Sequence, residues 1–510
     1  MEATNLQIYW HESQPIYSLS FQSKAFQKDQ ITRLVTAGGD NKIRVWQLNF
    51  NGQDRSKVDT IDFLSSLNQH EQAVNVVRFD PSQESIASAG DDGQVLLWKK
   101  NESISKDFGV DDEEFADFKE SWYVWKRLRS STAAGSSEIY DLSWSPDGKF
   151  IVTGSMDNSI RVFDVAGESC VAIASDHNHY VQGVVWDPQN EFIFSQSADR
   201  SVHVHRIIYD ASKTVADLKL TNRIIRGELP CRKAANDTEL DYSKIKSSYL
   251  FHNETLPSFF RRLGMSPCGN LLCIPAGIFK NCDSASESSN GNDELANAVY
   301  IFTRPYLKSS SNRPLLVLPF FKKPALVVSF CPQLYQLSAG AKPYIQLPYK
   351  LVFAVATSDE IFIYDTEIVE PICIIGNLHY TPITDIAWQL DGSMLMVSST
   401  DGFCSYISIP DATLGAFYTE TVVEPPLSQP TETETKVPEQ VPLVVNTLQV
   451  RRKEKPTAEK KGISSDASIM AEPIEDAAAV TKSEPQTQND VKSVPRRVQP
   501  TLVFQNSKKK

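Results

Sequence analysis

The chain is short of several things, and each absence removes a class of protein. Nowhere in its 510 residues do about 18 apolar residues run uninterrupted, so no membrane-spanning helix is expected. Met1 to Trp10 carries Glu2, Asn5 and Gln7 where a secretory leader would be apolar behind a basic start, which reads against export. Positive charge is in deficit: 51 Lys and Arg face 63 Asp and Glu, a net charge of −12. Affinity for DNA comes largely from neutralised phosphates, so direct sequence-specific DNA binding is not expected, and a basic protein partner suits this body better. The eight cysteines (170, 231, 268, 273, 282, 331, 373 and 404) contain no C-x-x-C pair. They read as reduced core residues of a nuclear or cytosolic chain, without zinc. A phosphate-binding Gly-rich loop, an H-E-x-x-H helix, a nucleophile elbow and a kinase signature are also missing, so neither enzymatic activity nor a cofactor is expected.

What is present is a repeat. Small residues, an Asp, a turn and alternating β-branched residues recur in AGGDNKIRVW (37–46), AGDDGQVLLW (89–98), GSMDNSIRVF (154–163), QSADRSVHVH (196–205), ATSDEIFIY (356–364) and SSTDGFCSYI (398–407). Upstream of most copies stands a second element ending in an aromatic and a turn, as in VVRFDPSQ, LSWSPDG, VVWDPQN and IAWQLDG. Alternation of period two between Asp, Gly, Pro and Ser marks short antiparallel strands.

A finer spacing runs through the copies. His70, His177 and His379 precede Asp92, Asp199 and Asp401 by 22 residues each. In a WD-repeat blade the His before the first strand bonds the Asp of the later turn, a buried pair that holds the blade. A catalytic His–Asp couple needs a nucleophile and occurs once per enzyme, not three times. These six residues are therefore expected to be structural.

Seven blades follow, on 15–48, 70–98, 138–165, 177–207, 250–304 (degenerate), 325–365 and 379–409. LQIYW (6–10) is expected to supply the last strand and seal the ring, hiding both sheet edges. The fold class is thus all-β: a closed seven-bladed WD40 β-propeller over 1–410, followed by a disordered tail over 411–510. Insertions are expected at 49–68, 101–137, 208–249, 280–297 and 333–347. The 101–137 insertion holds Asp111 to Glu114 beside Phe115, Phe118 and Trp122, and reads either as a solvated acidic loop with tucked aromatics or as a contact for basic partners.

In the tail Pro, Glu, Thr, Gln, Ser and Lys dominate, a composition that cannot bury enough apolar surface to offset ordering entropy. Near its end stands VPRRVQPTLVF (494–504). Such an extended segment can add a strand to another protein's sheet edge, with Val498, Leu502 and Phe504 filling pockets and Arg496 and Arg497 pairing with acidic groups. The alternative is solvated charge or part of an import signal, as for Arg451 to Lys453 and Lys508 to Lys510.

The chain resembles the family of middle, WD-repeat subunits of chromatin assembly factor one, in its fungal form. The likeness rests on LQIYWHESQPIYSLSF, AGGDNKIRVW, HEQAVNVVRF, AGDDGQVLLWK, SWYVWKRLR (121–129), HYVQGVVWDPQNEFIFSQSADRSVHV, LPYKLVFAVAT (347–357), STDGFCSY and, most specifically, FHNETLPSFFRR (251–262). The family is similar, more distantly, to Hir-type histone chaperone subunits. The resemblance implies a non-catalytic nuclear scaffold that deposits newly made histones H3–H4 onto DNA in replication and repair. It also implies a large and a small subunit as partners. The anti-silencing function histone chaperone would dock by strand addition on Arg496, Arg497, Val498, Pro500 and Leu502. The alternatives are a Hir-type subunit for replication-independent deposition, whose chains carry a long second domain, and a substrate receptor of a ubiquitin ligase.

Overall fold

The computed structural model describes residues 1–419 apart from 23–28, 53, 107–109, 111, 130–136, 233–239, 281–294, 310–311 and 411–412. It shows a seven-bladed propeller of four-stranded antiparallel sheets. In chain order the innermost strands of blades one to seven are Ile16–Gln22, Val74–Phe79, Ile139–Trp144, Val181–Trp186, Gly264–Met265, Ala325–Phe330 and Ile383–Trp388. The outermost are Asp54–Leu67, Trp122–Leu128, Ser169–Ala174, Val215–Ile224, Leu316–Phe321, Cys373–Gly376 and, for blade seven, Glu2–Leu6.

The second strand of a blade is covered on both faces by neighbouring blades, and its sequence records this. SIASAG (85–90), FIVTGS (150–155) and MLMVSS (394–399) are small or apolar throughout and buried at every position. Strict alternation would place polar side chains against the next blade. Apolar clusters then fill each of the seven interfaces between blades, from Val45, Leu64, Val77 and Trp98 between one and two round to Trp10, Trp46, Met396 and Tyr406 between seven and one.

The ring is closed by the N-terminus, but not by residues 6–10. Glu2 to Leu6 pair with Ser408 to Cys404, and only Leu6 belongs to the expected segment. The alternation of LQIYW serves another purpose: Trp10 turns inward, fully buried, its ring 4.9 Å from Trp46 and its indole N–H donating to the Leu6 carbonyl. An outermost strand is wetted on one side, so the polar EATNL can occupy it.

The same reasoning corrects three of the insertions. Residues 49–68, 101–137 and 208–249 contain the outermost strands of blades one, two and four. A hairpin (Arg226–Arg232 with Leu240–Tyr249) also stands in the last of them. In the 101–137 segment, a helical turn at Asp112–Ala116 precedes buried Phe118 and Trp122, and Glu114 pairs with Lys42 at 3.0 Å. Beyond 410 the chain returns to blade six, where Gln336 N–H donates to Ala416 O and Leu414 is buried.

Candidate functional site

The three predicted His–Asp couples come together in space. Nδ1 lies 2.7 Å from the carboxylate in His70–Asp92 and 3.0 Å in His177–Asp199 and His379–Asp401. Blade two shows how the couple is anchored. Trp98 donates its indole N–H to Ser88 Oγ (2.8 Å), Ser88 lies 2.7 Å from His70 Nε2, and the other ring nitrogen faces Asp92. One directed chain satisfies every member when Ser88 donates to Nε2 and Nδ1–H donates to Asp92. Burial pushes the Asp92 carboxyl up, but the His70 bond overrides it and holds the group below the usual carboxylate range. Ser88 is fully buried and its hydroxyl already receives the Trp98 indole N–H, so no substrate can reach it.

The sequence reading missed a fourth couple. His11 Nδ1 lies 2.7 Å from Asp40, and Nε2 meets Thr36, which also receives the Trp46 indole N–H. Here the separation is 29 residues, so the 22-residue rule passes over it. The available signal was the complete AGGD…W copy with no His at the regular distance.

Blades four and seven vary the theme. In blade four the Trp position holds His205, which faces Asp176 at 3.2 Å, and His203 stacks on His177 with centroids 3.6 Å apart and planes 6° from parallel. Parallel rings send their in-plane lone pairs side by side rather than to one point, which does not suit a shared metal ion. In blade seven Val397 stands where Ser88 would be, and His379 Nε2 meets Ser405 instead at 3.0 Å. The substitution Asp199→Ala is expected to cost about 1–3 kcal/mol, because it strips the carboxylate from the buried His177 ring and from the Asn178 N–H. Urea unfolding measures it, and an unchanged midpoint would show that this couple does not hold the blade.

FHNETLPSFFRR performs a different task. Arg261 N–H donates to Gln182 O of blade four and Arg262 N–H to Leu326 O of blade six, so this segment takes the innermost position in blade five. That explains why only Gly264–Met265 forms a regular ladder there. A Cβ on Gly183 would sit 1.9 Å from Arg261 O, so only glycine admits the segment. Arg261, fully buried, donates to the carbonyls of His252 (2.7 Å) and Asn253 (2.5 Å).

Arg262 crosses the central channel. It donates to the carbonyls of Tyr17 (3.0 Å), Asn75 (2.8 Å) and Thr384 (2.8 Å), and faces Asp385 at 3.2 Å and Asp141 at 3.5 Å. Blades one, two, three and seven are thereby tied to blade five. Burial pushes both carboxyls up; Arg262 and Arg78 prevail at Asp385, which stays low, but not at Asp141, which stays high.

The five docking residues, Arg496, Arg497, Val498, Pro500 and Leu502, lie outside the described residues.

Residues 1–414 match the family model described as "CAF1B/HIR1 beta-propeller domain". The chain belongs to the CAF1B/HIR1 β-propeller family. It is 48% identical over 430 residues to the CAF1B-type subunit of chromatin assembly factor 1 from Saccharomyces cerevisiae, covering 81% of this chain and 87% of that one. Identity to the Schizosaccharomyces pombe protein of the same name is 39%, over 81% of this chain and 89% of that one. "Protein HIR1" of Yarrowia lipolytica is a more distant relative, 26% identical over 88% of this chain and 43% of its own. The family match spans all seven blades, the degenerate fifth included.

Proposed function

We propose that this family member is a non-catalytic scaffold subunit of a histone chaperone complex that assembles nucleosomes. It would deposit newly synthesised H3–H4 onto DNA during replication and repair, and work in the nucleus. The reading is carried by the 48% identity to a chromatin assembly factor 1 subunit over nearly the whole propeller, against 26% to a Hir-type protein. The architecture agrees with it: histidine–aspartate couples buried inside the blades and a channel crossed by Arg262 suit a rigid platform better than an active site. In this scheme the propeller joins the large subunit of chromatin assembly factor one, the small subunit completes the complex, and the tail receives the anti-silencing function histone chaperone with H3–H4.

The tail tests it. Replacing Arg496 and Arg497 together by Ala removes two charge-assisted donors and should weaken binding of the anti-silencing chaperone on the order of tenfold. Copurification of the large and small subunits should be unaffected. Unchanged affinity in a calorimetric titration would refute tail docking, and failure of the wild-type chain to copurify with the large subunit would refute the scaffold role.

A further inference from the structure

The outermost strand of blade two, Trp122–Leu128, carries an exposed feature that the scaffold reading does not use. Its pairing with Val95–Lys100 shifts register between Leu97 and Trp98: Leu97 faces Lys126 and Trp98 faces Val124, leaving Trp125 as the extra residue of a bulge. Blades one, three and four have a bulge at the same place, with Leu64, Val171 and Thr221 as the extra residues. Leu64 is buried in an interface core, Val171 packs against another, and the Thr221 hydroxyl donates to Val204 O at 2.8 Å. Only in blade two, among these four, is the extra residue a large apolar side chain left 37% exposed, beside Tyr123 at 41%. A bulge re-aims the side chain it carries, and here it presents an indole to solvent.

The charge around Trp125 is the reverse of the chain's. Lys99 Nζ lies 4.0 Å and Lys126 Nζ 4.8 Å from the indole centroid. Lys126 is answered by Glu168 at 3.4 Å and by the carbonyls of Val165 and Ala166. Arg127 and Arg129 donate to neutral partners, Gln69 Oε1 and Gln94 Oε1. Among the described residues, Lys99, Arg127 and Arg129 pair with no carboxylate, in a chain of net charge −12. A depression of about 510 Å³ runs along the strand at this point.

We propose that this strip of blade two docks an extended acidic segment of a partner protein, with an apolar or aromatic side chain of that segment covering Trp125 and its carboxylates meeting Lys99 and Arg127. Exposed aromatic anchors flanked by unpaired cations are what such a segment needs. A single-stranded nucleic acid fits less well, because the overall charge of the body repels phosphate.

The test uses the full chain labelled with 5-fluorotryptophan, the Trp125 resonance being assigned through Trp125→Phe. Addition of the random copolymer poly(Glu,Tyr) should shift that resonance saturably, and Lys99→Glu with Arg127→Glu should weaken the response on the order of tenfold. Poly-lysine and oligothymidine should leave it in place. A Trp125 signal unmoved by poly(Glu,Tyr), one that moves equally in the charge-reversed variant, or one that moves with oligothymidine would overturn the proposal. Because the readout is the Trp125 resonance itself, binding of the copolymer to the basic tail does not imitate a positive result, and failure here leaves the tail titration untouched.

Discussion

Arg262→Ala should lower the unfolding free energy by about 3–5 kcal/mol, one of the largest effects expected of any substitution in the ring. Taking an ion out of water is expensive, and the arrangement around Arg262 is tolerable because every charge has an answer. Its guanidinium meets three carbonyls from blades one, two and seven and the carboxylates of Asp141 and Asp385. Without it Asp385 retains Arg78 at 2.8 Å, together with the Ser18 hydroxyl and the Leu19 N–H. Asp141 retains the Val184 N–H, and Arg78 only at longer range. Its carboxyl, already pushed up by burial, should then be pushed up further, so the deficit should shrink as the pH falls. Arg262→Met fills the space without charge and should remain destabilised by a similar amount. Urea titrations at two pH values distinguish this ionic lock from simple packing, because a cavity penalty carries no pH dependence. A loss below about 1 kcal/mol, or a loss independent of pH, would show that Arg262 fills the channel without binding the blades together.

Much of this architecture was legible because WD repeats encode a blade redundantly: a turn Asp, an aromatic, and a histidine at a set distance. Where one cue failed, others located the blade, as at Val397, which replaces the bridging serine while His379 still reaches Asp401. The illegible parts share a cause. Outermost strands are wetted on one side and free at one edge, so neither burial nor pairing constrains their pattern; EATNL closes the ring with no apolar stripe, and LQIYW, which has one, leaves the sheet after Leu6. His11 escaped because the chain between it and Asp40 is longer than in the regular copies. The role of Arg262 was out of reach for another reason. The carbonyls that its guanidinium meets lie 122 to 245 residues away, and no local rule connects them. FHNETLPSFFRR was visible as a family feature, but what it does, supplying the innermost run of blade five and the bolt through the channel, is a property of the closed ring.

Blade four should make the propeller sensitive to mild acid. In blade two the position of His203 holds Leu96 and that of His205 holds Trp98. Both histidines are buried, and among the described residues their Nδ1 atoms have no hydrogen-bond partner. Burial, then the charges of His177 and His205, holds His203 down to about 2; burial, only partly offset by Asp176, holds His205 down to about 4. In the unfolded chain both return to their ordinary value of 6.5. The unfolded state therefore binds more protons below that pH, so the stability these groups contribute is fully present above 6.5 and is lost as the pH falls beneath it. Each contributes at most about 1.4 kcal/mol per pH unit, which amounts to roughly 2 kcal/mol apiece by about pH 5. His11 and His252, whose values are also lowered by burial, act in the same direction. The carboxylates of Asp92, Asp199 and Asp401 are held below their ordinary 3.8 and respond only at more acid pH. His203→Leu, which copies blade two, removes one of these protons and should reduce the loss of unfolding free energy between about pH 7 and 5 by about 1–2 kcal/mol, with little change at neutrality. His205→Trp should act likewise, by giving Ser195 an indole N–H in the manner of Ser88. Equal slopes in the wild-type chain and in His203→Leu would mean that His203 is already protonated in the folded blade, reversing the electrostatics argued for it.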